Sequence, residues 1–193
     1  MDIIVVYFLN NLAGVNNLLD SLFIFLSTNL FLVMWLIFIV FLIATYDRVS
    51  DPLILGKRVA RNLVELRVLD YKMIGLVFVA SGVSYIFNQI IGAIWFRERP
   101  FLVVEGVTKL IEKSAFDKSF PSDHTTLAFA LAFSVFIYDK RWGSIFLVLA
   151  TILGLSRVVV GVHYLTDIFG GVLMAAVIVW VTYRVGNMIL KRL

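Results

Sequence analysis

Cysteine is absent from this 193-residue chain, and histidine, proline and charge are scarce, with two histidines, three prolines and 16% charged residues. Without cysteine, the chain forms no disulfide, no catalytic thiolate and no cysteine-ligated metal site. The two histidines, His124 and His163, are too few for an all-histidine metal site. Soluble domains carry about 25% charged residues. The shortage of charge therefore argues against an ordinary soluble enzyme.

Apolar residues are abundant instead, at 61% of the chain, and the mean hydropathy is +0.97. A helix needs about 20 mostly apolar residues to cross a bilayer core of about 30 Å. Five runs approach that length, without the period-2 alternation of barrel strands. They are residues 22–45, 73–96, 121–138, 143–160 and 164–185. We predict an all-α fold, a polytopic transmembrane helix bundle of five or six helices, forming one integral-membrane domain over residues 1–193.

The first residues are a weaker candidate for a membrane span. Residues 3–19 are apolar but are interrupted by four asparagines, which favours a short or interfacial helix, the sixth of the bundle. No lysine or arginine precedes this stretch, so a signal peptide is disfavoured.

The basic residues predict the orientation in the membrane, because short cytoplasmic loops are enriched in lysine and arginine. Eleven of the 17 fall on the side that holds residues 48–72, 140–141 and 184–192, and six fall on the other side. The second side is therefore predicted to face outward. Lys57, Arg58 and Arg61 on the inner side are expected to contact anionic lipid heads. The scattered positive charge forms no stripe for nucleic acid, so none is expected as a partner.

Three polar clusters map to the predicted outer face, where ionisable groups usually line a bundle interior or an aqueous cavity. Arg99, Arg157 and Arg97 offer planar cationic forks that suit phosphate oxygens. Pro121 suits the first turn of a helix, whose free N–H groups would face an anion. Those amides belong to Ser122, Asp123 and His124. The pattern predicts a phosphate site without a metal.

His163 and Asp167 are four residues apart, so a helix would place them on one face. A carboxylate that accepts a hydrogen bond from the imidazole fixes its tautomer and makes the other nitrogen a better nucleophile toward phosphorus. His124 could then donate a proton to the leaving oxygen. Two histidines with different neighbours can in this way hold opposite roles.

These residues resemble the motifs of the type-2 phosphatidic acid phosphatase superfamily, which are Lys-x6-Arg-Pro, Pro-Ser-Gly-His and Ser-Arg-x5-His-x3-Asp. Here the second motif begins at Pro121, and the third, which begins at Ser156, fills every family position. The resemblance covers residues 70–185 and implies a six-helix membrane core and a metal-independent, cofactor-free phosphatase. It implies that His163 is the nucleophile that forms a phosphohistidine, with Asp167 as its orienter and His124 as the acid. It also implies that the phosphate ligands are Arg99, Ser122 and Arg157.

Two positions depart from the family pattern. The lysine of the first motif is replaced by Gly92, so its phosphate contact is either lost or taken over by Arg97; we favour the second. Taken alone, Arg97 could equally be an interfacial anchor. Asp123 replaces glycine in the second motif, where its carboxylate would repel phosphate unless it is turned away or paired with an arginine.

The form Pro-Ser-Asp-His-Thr-Thr is similar to the bacitracin-resistance branch, whose members are undecaprenyl diphosphate phosphatases of cell-wall biogenesis. The resemblance implies a hydrolase of the plasma membrane, acting on a lipid phosphate at the outer face. Phosphatidylglycerophosphate or phosphatidate is the alternative substrate. A transporter or permease subunit and a structural membrane protein are the alternatives from other classes.

Two further patterns carry no chemistry. Asn88 and Gln89 lie within the second apolar run, where hydrogen bonds between helices are favoured over a lipid path. The last helix has a small-residue surface for close packing, formed by Gly170, Gly171, Ala175 and Ala176.

Overall fold

The computed structural model describes residues 2–50 and 57–190, with side chains described for residues 2–45 and 71–190. The described residues form eight helices and no strand. The helices are α1 (Asp2–Asn10), α2 (Asn17–Thr28), α3 (Leu30–Ser50), α4 (Lys57–Ile94), α5 (Pro100–Val103), α6 (Asp123–Tyr138), α7 (Lys140–Val159) and α8 (Leu165–Leu190). The all-α class predicted from the sequence is confirmed.

Three helical segments in the described part of the chain are long and apolar enough to cross a membrane: Tyr71–Ile94, Lys140–Val159 and Leu165–Leu190. They match three of the five predicted spans. The predicted span at residues 121–138 is α6, which at 16 residues is about 24 Å long and falls short of a full crossing. The first helix, α1, has nine residues, which agrees with the short helix expected near the start of the chain.

The run at residues 22–45 is not one straight helix. It consists of α2 and α3, which meet at Asn29 with a bend of 55° and form either a broken fourth span or a re-entrant loop. The hydroxyls of Ser27 and Thr28 both donate to the carbonyl of Ile24, at 3.0 and 2.7 Å. Such back-bonding competes with the helical backbone and commonly bends helices.

The core is built around α6, which packs against α4, α7 and α8. Its alanines Ala128, Ala130 and Ala132 are fully buried, and small side chains let neighbouring helices approach closely. At the far end, the side chain of Asp139 caps α7 by accepting from the amide of Trp142 at 2.9 Å. Helix α6, which is too short for a full membrane crossing, is thus packed among α4, α7 and α8.

Close packing also sets the position of α8 against the start of α6. A Cβ added to Gly171 would lie 2.9 Å from Thr126 Oγ1 and 3.2 Å from the carbonyl oxygen of Ser122, so a larger residue would push the two helices apart. Ala175, one turn later, is fully buried. The small-residue surface predicted for the last helix is therefore a packing surface.

The basic stretch predicted to contact lipid heads lies outside the residues whose side chains are described. Its backbone from Lys57 onward is the first part of α4.

Candidate active site

The polar residues singled out in the sequence meet at one end of the bundle. This end holds the carboxyl ends of α4 and α7 and the amino ends of α6 and α8. Four of its charged or titratable side chains are almost fully buried: Arg99 (4% exposed), Arg157 (1%), His163 (2%) and Asp167 (0%). Burial of this kind is costly unless the groups are paired or bind a ligand.

The ring of His163 lies between a carboxylate and a guanidinium. Its Nδ1 is 3.5 Å from Asp167 Oδ2, and its Nε2 is 3.3 Å from Arg99 Nη1. Arginine only donates hydrogen bonds, so the contact from Arg99 assigns Nε2 as the accepting nitrogen and places the ring proton on Nδ1, which faces Asp167 without making a hydrogen bond among the described residues. The lone pair of Nε2 therefore points to the guanidinium side of the site.

Burial, together with the nearby charges of Arg157 and Arg99, lowers the pKa of His163 to about 4, against the opposing effect of Asp167. The ring is consequently neutral across the physiological range, as a nitrogen nucleophile must be.

Asp167 is held from several directions. Its Oδ2 accepts from Ser119 Oγ at 2.6 Å and from the amide of Tyr164 at 2.8 Å. Its Oδ1 accepts from Arg97 Nη1 at 2.7 Å. A fully buried carboxylate with this set of donors is charged and fixed in position.

Arg157 brings unpaired donors to the site. Its Nη1 donates to the carbonyl of Ser27 at 3.0 Å, while its buried Nε and Nη2 have no partner within residues 2–45 and 71–190. Leaving buried guanidinium donors without acceptors is expensive. An anion bound beside Arg157 would satisfy them.

Arg99 is anchored on the same side. Its Nη1 donates to the carbonyl of Val162 at 2.9 Å and its Nε to that of Asp117 at 3.3 Å. Burial lowers the pKa of Arg99, and the negative charges of Asp117, Asp167 and Asp123 oppose this. Arginine remains charged in proteins, so the guanidinium stays a fixed cation beside His163.

His124 is half-buried near the start of α6. Its ring makes an edge contact with Phe31, with the centroids 6.2 Å apart. Arg157, Lys113 and His163 all lie close enough to act electrostatically on His124. The two histidines therefore belong to one charged cluster at the same end of the bundle.

The start of α6 differs from the prediction by one or two residues. Pro121 precedes the helix, Ser122 is the N-cap and Asp123 is the first helical residue. The amide of Ser122 is not free, because it donates to the carbonyl of Asp167 at 3.2 Å. Ser122 Oγ accepts from Thr125 Oγ1 at 3.0 Å. The amides of residues 123–125 are the ones without an acceptor inside the helix.

Asp123 is paired with a lysine rather than an arginine. Its Oδ1 lies 2.7 Å from Lys118 Nζ and also accepts from Asn88 Nδ2 at 3.0 Å. The same Asn88 nitrogen donates to Thr126 Oγ1 at 2.9 Å, which joins α4 to α6. The predicted role of Asn88 in bonding between helices is confirmed, and Gln89 also faces Asp123, at 3.4 Å.

Arg97 does not lie where the sequence analysis expected it. Its Nη1 contacts Asp167 and donates to Thr166 Oγ1 at 2.6 Å, and its Nη2 pairs with Asp2 Oδ2 at 2.8 Å. Its Cζ lies 3.7 Å from the centre of the Tyr164 ring. With its donors given to two carboxylates, Arg97 supports Asp167 and is not placed to replace a phosphate-binding lysine.

Four residues at this end were missed by the sequence analysis: Asp2, Lys113, Ser119 and Lys118. Burial lowers the pKa of Lys113, and the adjacent positive charges of Arg157 and Arg99 contribute to this shift. None of the four belongs to a motif or a regular spacing. Only the fold brings them to the site.

The described part of the chain has no group of three or more histidine, cysteine, aspartate or glutamate side chains arranged to hold a metal ion.

With this geometry in view, comparison with known proteins identifies the family. The model of the PAP2 superfamily matches residues 74–191, which is more than half of the chain, so this protein belongs to the PAP2 superfamily. The resemblance drawn from the three motifs is confirmed.

The curated relatives are bacterial. Bacitracin transport permease protein BcrC of Bacillus licheniformis is 42% identical over 96 residues, which cover 50% of this chain and 47% of the relative. Undecaprenyl-diphosphatase BcrC of Bacillus subtilis is 34% identical over 104 residues, covering 54% and 53%. Putative undecaprenyl-diphosphatase YbjG of Escherichia coli is 34% identical over 122 residues, covering 60% of each. The matched parts thus span about half the length of these relatives. The similarity to the bacitracin-resistance branch is confirmed.

Two solved structures share the fold over nearly the whole chain. LpxE of Aquifex aeolicus superposes with a TM-score of 0.66 at 19% identity, covering 95% of this chain and 94% of that one. A PAP2-type phosphatidylglycerolphosphate phosphatase of Bacillus subtilis gives a TM-score of 0.50 at 20% identity, covering 97% of both chains. These similarities show that the chain shares the fold of these two structures.

Proposed function

We propose that this chain is one integral-membrane domain that removes the terminal phosphate of a membrane lipid without a metal. The observation that carries the proposal is the pair of guanidinium groups around a neutral imidazole. Arg99 contacts Nε2 of His163, and Arg157 has two buried donors without partners among the described residues. A phosphoryl group placed there would meet cationic donors and the lone pair of His163 together.

In the first step, His163 Nε2 attacks the terminal phosphorus and forms an N–P bond while the P–O bond to the leaving oxygen breaks. Asp167 holds the Nδ1 proton and stabilises the positive charge that develops on the ring. His124 gives its proton to the leaving oxygen. Arg99 and Arg157 balance the charge of the transferred group, with Ser122 and the free amides of α6 as additional donors.

In the second step, water attacks the phosphohistidine. His124 takes a proton from the water, the new P–O bond forms as the N–P bond breaks, and inorganic phosphate leaves. His163 and His124 return to their starting protonation states. Every proton in the cycle is thereby accounted for without a cofactor.

The proposed substrate is undecaprenyl diphosphate, which would yield undecaprenyl phosphate. Support comes from two relatives that are named undecaprenyl-diphosphatases. Phosphatidylglycerophosphate is the second candidate, supported by the name of one structural neighbour. The proposed location is the plasma membrane with the site at the outer face, since Lys140, Arg141 and Arg184 lie toward the opposite end of the bundle.

Phosphate release by the purified wild type in detergent tests these alternatives. We expect the initial rate on undecaprenyl diphosphate to exceed the rate on phosphatidylglycerophosphate by at least about tenfold, since each 1.4 kcal/mol of preference is worth a factor of ten. The reverse order would assign the enzyme to glycerophospholipids. No release from either lipid would favour the transport role that the name of the Bacillus licheniformis relative describes.

A further inference from the structure

The space left by Gly92 on α4 is filled by a side chain from a distant part of the sequence. A Cβ built on Gly92 would overlap Cδ of Lys118, and the neighbouring carbons of the lysine also lie within contact distance. Lys118 belongs to the segment between α5 and α6. Its aliphatic stem therefore crosses α4 at the position where the family motif has its own lysine.

The ammonium group at the end of this stem lies against the other position that departs from the family pattern. Lys118 Nζ is 2.7 Å from Asp123 Oδ1 and donates to the carbonyl of Pro121 at 3.0 Å. Its side chain is only 11% exposed. A shielded ion pair of this kind is screened by salt much less than a surface pair.

Asp123 lies where a free negative charge would harm phosphate binding. It is the first residue of α6, between Ser122 and His124, and its charge acts on the buried Arg99. An unpaired carboxylate there would oppose both the helix amino terminus and the arginines in attracting an anion. Asn88 and Gln89 donate to the same oxygen but bring no charge. Among residues 2–45 and 71–190, Lys118 is the one cation within ion-pair distance of this carboxylate.

We propose that Gly92, Lys118 and Asp123 form one compensating unit, in which the missing side chain at 92 admits Lys118 and Lys118 neutralises Asp123. Lys118 is then a positioning residue that keeps the start of α6 able to accept a phosphate. The unit accounts for both departures from the family motifs with a single side chain. This inference rests on the proposed function, since it assumes that the site binds a phosphoryl group.

Lys118→Met tests the unit because it keeps the stem and removes the charge. We expect the KM for undecaprenyl diphosphate and the inhibition constant of orthovanadate both to rise about tenfold. The reason is that the unpaired Asp123 carboxylate, a few ångströms away, would repel either anion. The fall in kcat should be smaller. Lys109→Met is the matched control, because Lys109 lies in the same segment and pairs with the almost fully exposed Glu112. An unchanged KM in Lys118→Met would overturn the proposal.

A second set of variants tests whether the lost affinity is due to the unpaired carboxylate of Asp123. Adding Asp123→Asn to Lys118→Met should recover most of the lost affinity, and Lys118→Arg should retain it. Gly92→Ala leaves Lys118 intact but displaces its stem, so this variant should behave like Lys118→Met and should also be rescued by Asp123→Asn. Double variants that bind as weakly as the single ones would show that Lys118 acts in another way and would overturn the unit.

Binding of inorganic phosphate separates this inference from the proposed function. The rise in Tm that orthophosphate produces in detergent needs no turnover. If the wild type hydrolyses neither lipid but phosphate still stabilises it, and Lys118→Met abolishes this effect while the double variant restores it, the unit stands although the proposed reaction fails. If the wild type hydrolyses lipid and the variants show no such pattern, the unit fails alone.

Discussion

Two carboxylates flank the site, and the differences between their surroundings indicate different roles. Asp167 and Asp123 each lie in the first turn of a helix, α8 and α6, and each is paired with a cation from the segment that joins α4 to α6. Asp167 is fully buried and touches His163, whereas the side chain of Asp123 is 35% exposed and bonds only to groups away from either histidine.

The α8 side of the site follows the family motifs, whereas the α6 side departs from them. On the α8 side, every motif position is filled and the carboxylate is held by Ser119, Arg97 and the amide of Tyr164. On the α6 side, Asp123 occupies the position of the motif glycine, and Lys118 pairs with it. The charge balance is restored on both sides by residues outside the motifs.

The largest losses of activity are expected on the α8 side, from replacing His163 or Asp167. His163→Ala should abolish turnover, because it removes the imidazole proposed to form the bond to phosphorus. Asp167→Asn should lower kcat by about 10³-fold or more, the scale seen when an orienting aspartate is neutralised beside a catalytic histidine. Rates of phosphate release measure both.

The matched control for Asp167→Asn is Asp139→Asn, which changes a helix cap at the far end of the bundle. Since asparagine caps a helix about as well as aspartate, this variant should leave both Tm and kcat nearly unchanged. Substantial activity in His163→Ala would remove the nucleophile assignment, and an Asp167→Asn enzyme with normal kcat would make the two carboxylates equivalent.

Replacing Arg97 should give the next largest loss of activity, and the loss should appear in kcat rather than in KM. Because Arg97 contacts Asp167 and Asp2 and not the phosphate side, Arg97→Met should lower kcat roughly 10- to 100-fold, as loss of groups that orient a catalytic residue does, with little change in KM. If Arg97 were a phosphate ligand, as its sequence position predicted, KM would rise and kcat would change little. Arg184→Met, at the other end of α8, is the control. A raised KM with a normal kcat in Arg97→Met would instead indicate that Arg97 binds the phosphate.

Ser119 offers a finer test of the α8 side. Ser119→Ala removes one donor to Asp167 Oδ2 and should lower kcat by about tenfold, as loss of one hydrogen bond to a buried charge does. Ser144→Ala removes an exposed hydroxyl that bonds to the backbone of α7 and should change nothing. Equal rates for the two variants would mean that Ser119 merely packs against the carboxylate.

The smallest effect is expected from chelation. Since the proposed chemistry uses only imidazoles, guanidinium groups and a carboxylate, EDTA should leave the rate of phosphate release within about twofold, while orthovanadate should inhibit as a mimic of pentacoordinate phosphorus. Inactivation by EDTA that a divalent ion reverses would overturn the metal-free mechanism.

The sequence predicted the helices and the motif residues well because both leave local signals. Apolar runs located α4, α7 and α8. The spacing of His163 and Asp167 correctly predicted that they lie close together, although His163 precedes α8 and does not share a helix with Asp167. The bend at Asn29 was missed because hydroxyl back-bonding leaves no gap in hydropathy.

The partners of the motif residues could not be predicted, because tertiary contacts bring them together over long sequence separations. Arg97 is two residues from Arg99, yet its guanidinium faces Asp2, which lies at the other end of the sequence. Lys118 is 26 positions from Gly92, and nothing in the spacing indicates that one fills the space left by the other.

The most direct test of the central claim is to trap the covalent intermediate on His163. Wild-type enzyme is mixed with undecaprenyl diphosphate carrying ³²P in the terminal phosphate, quenched within the first turnover and digested, and the labelled peptide is identified. The account predicts an acid-labile, base-stable phosphate on His163 that is absent from His163→Ala. Label on another residue, or turnover by the wild type with no covalent label at any time, would contradict it.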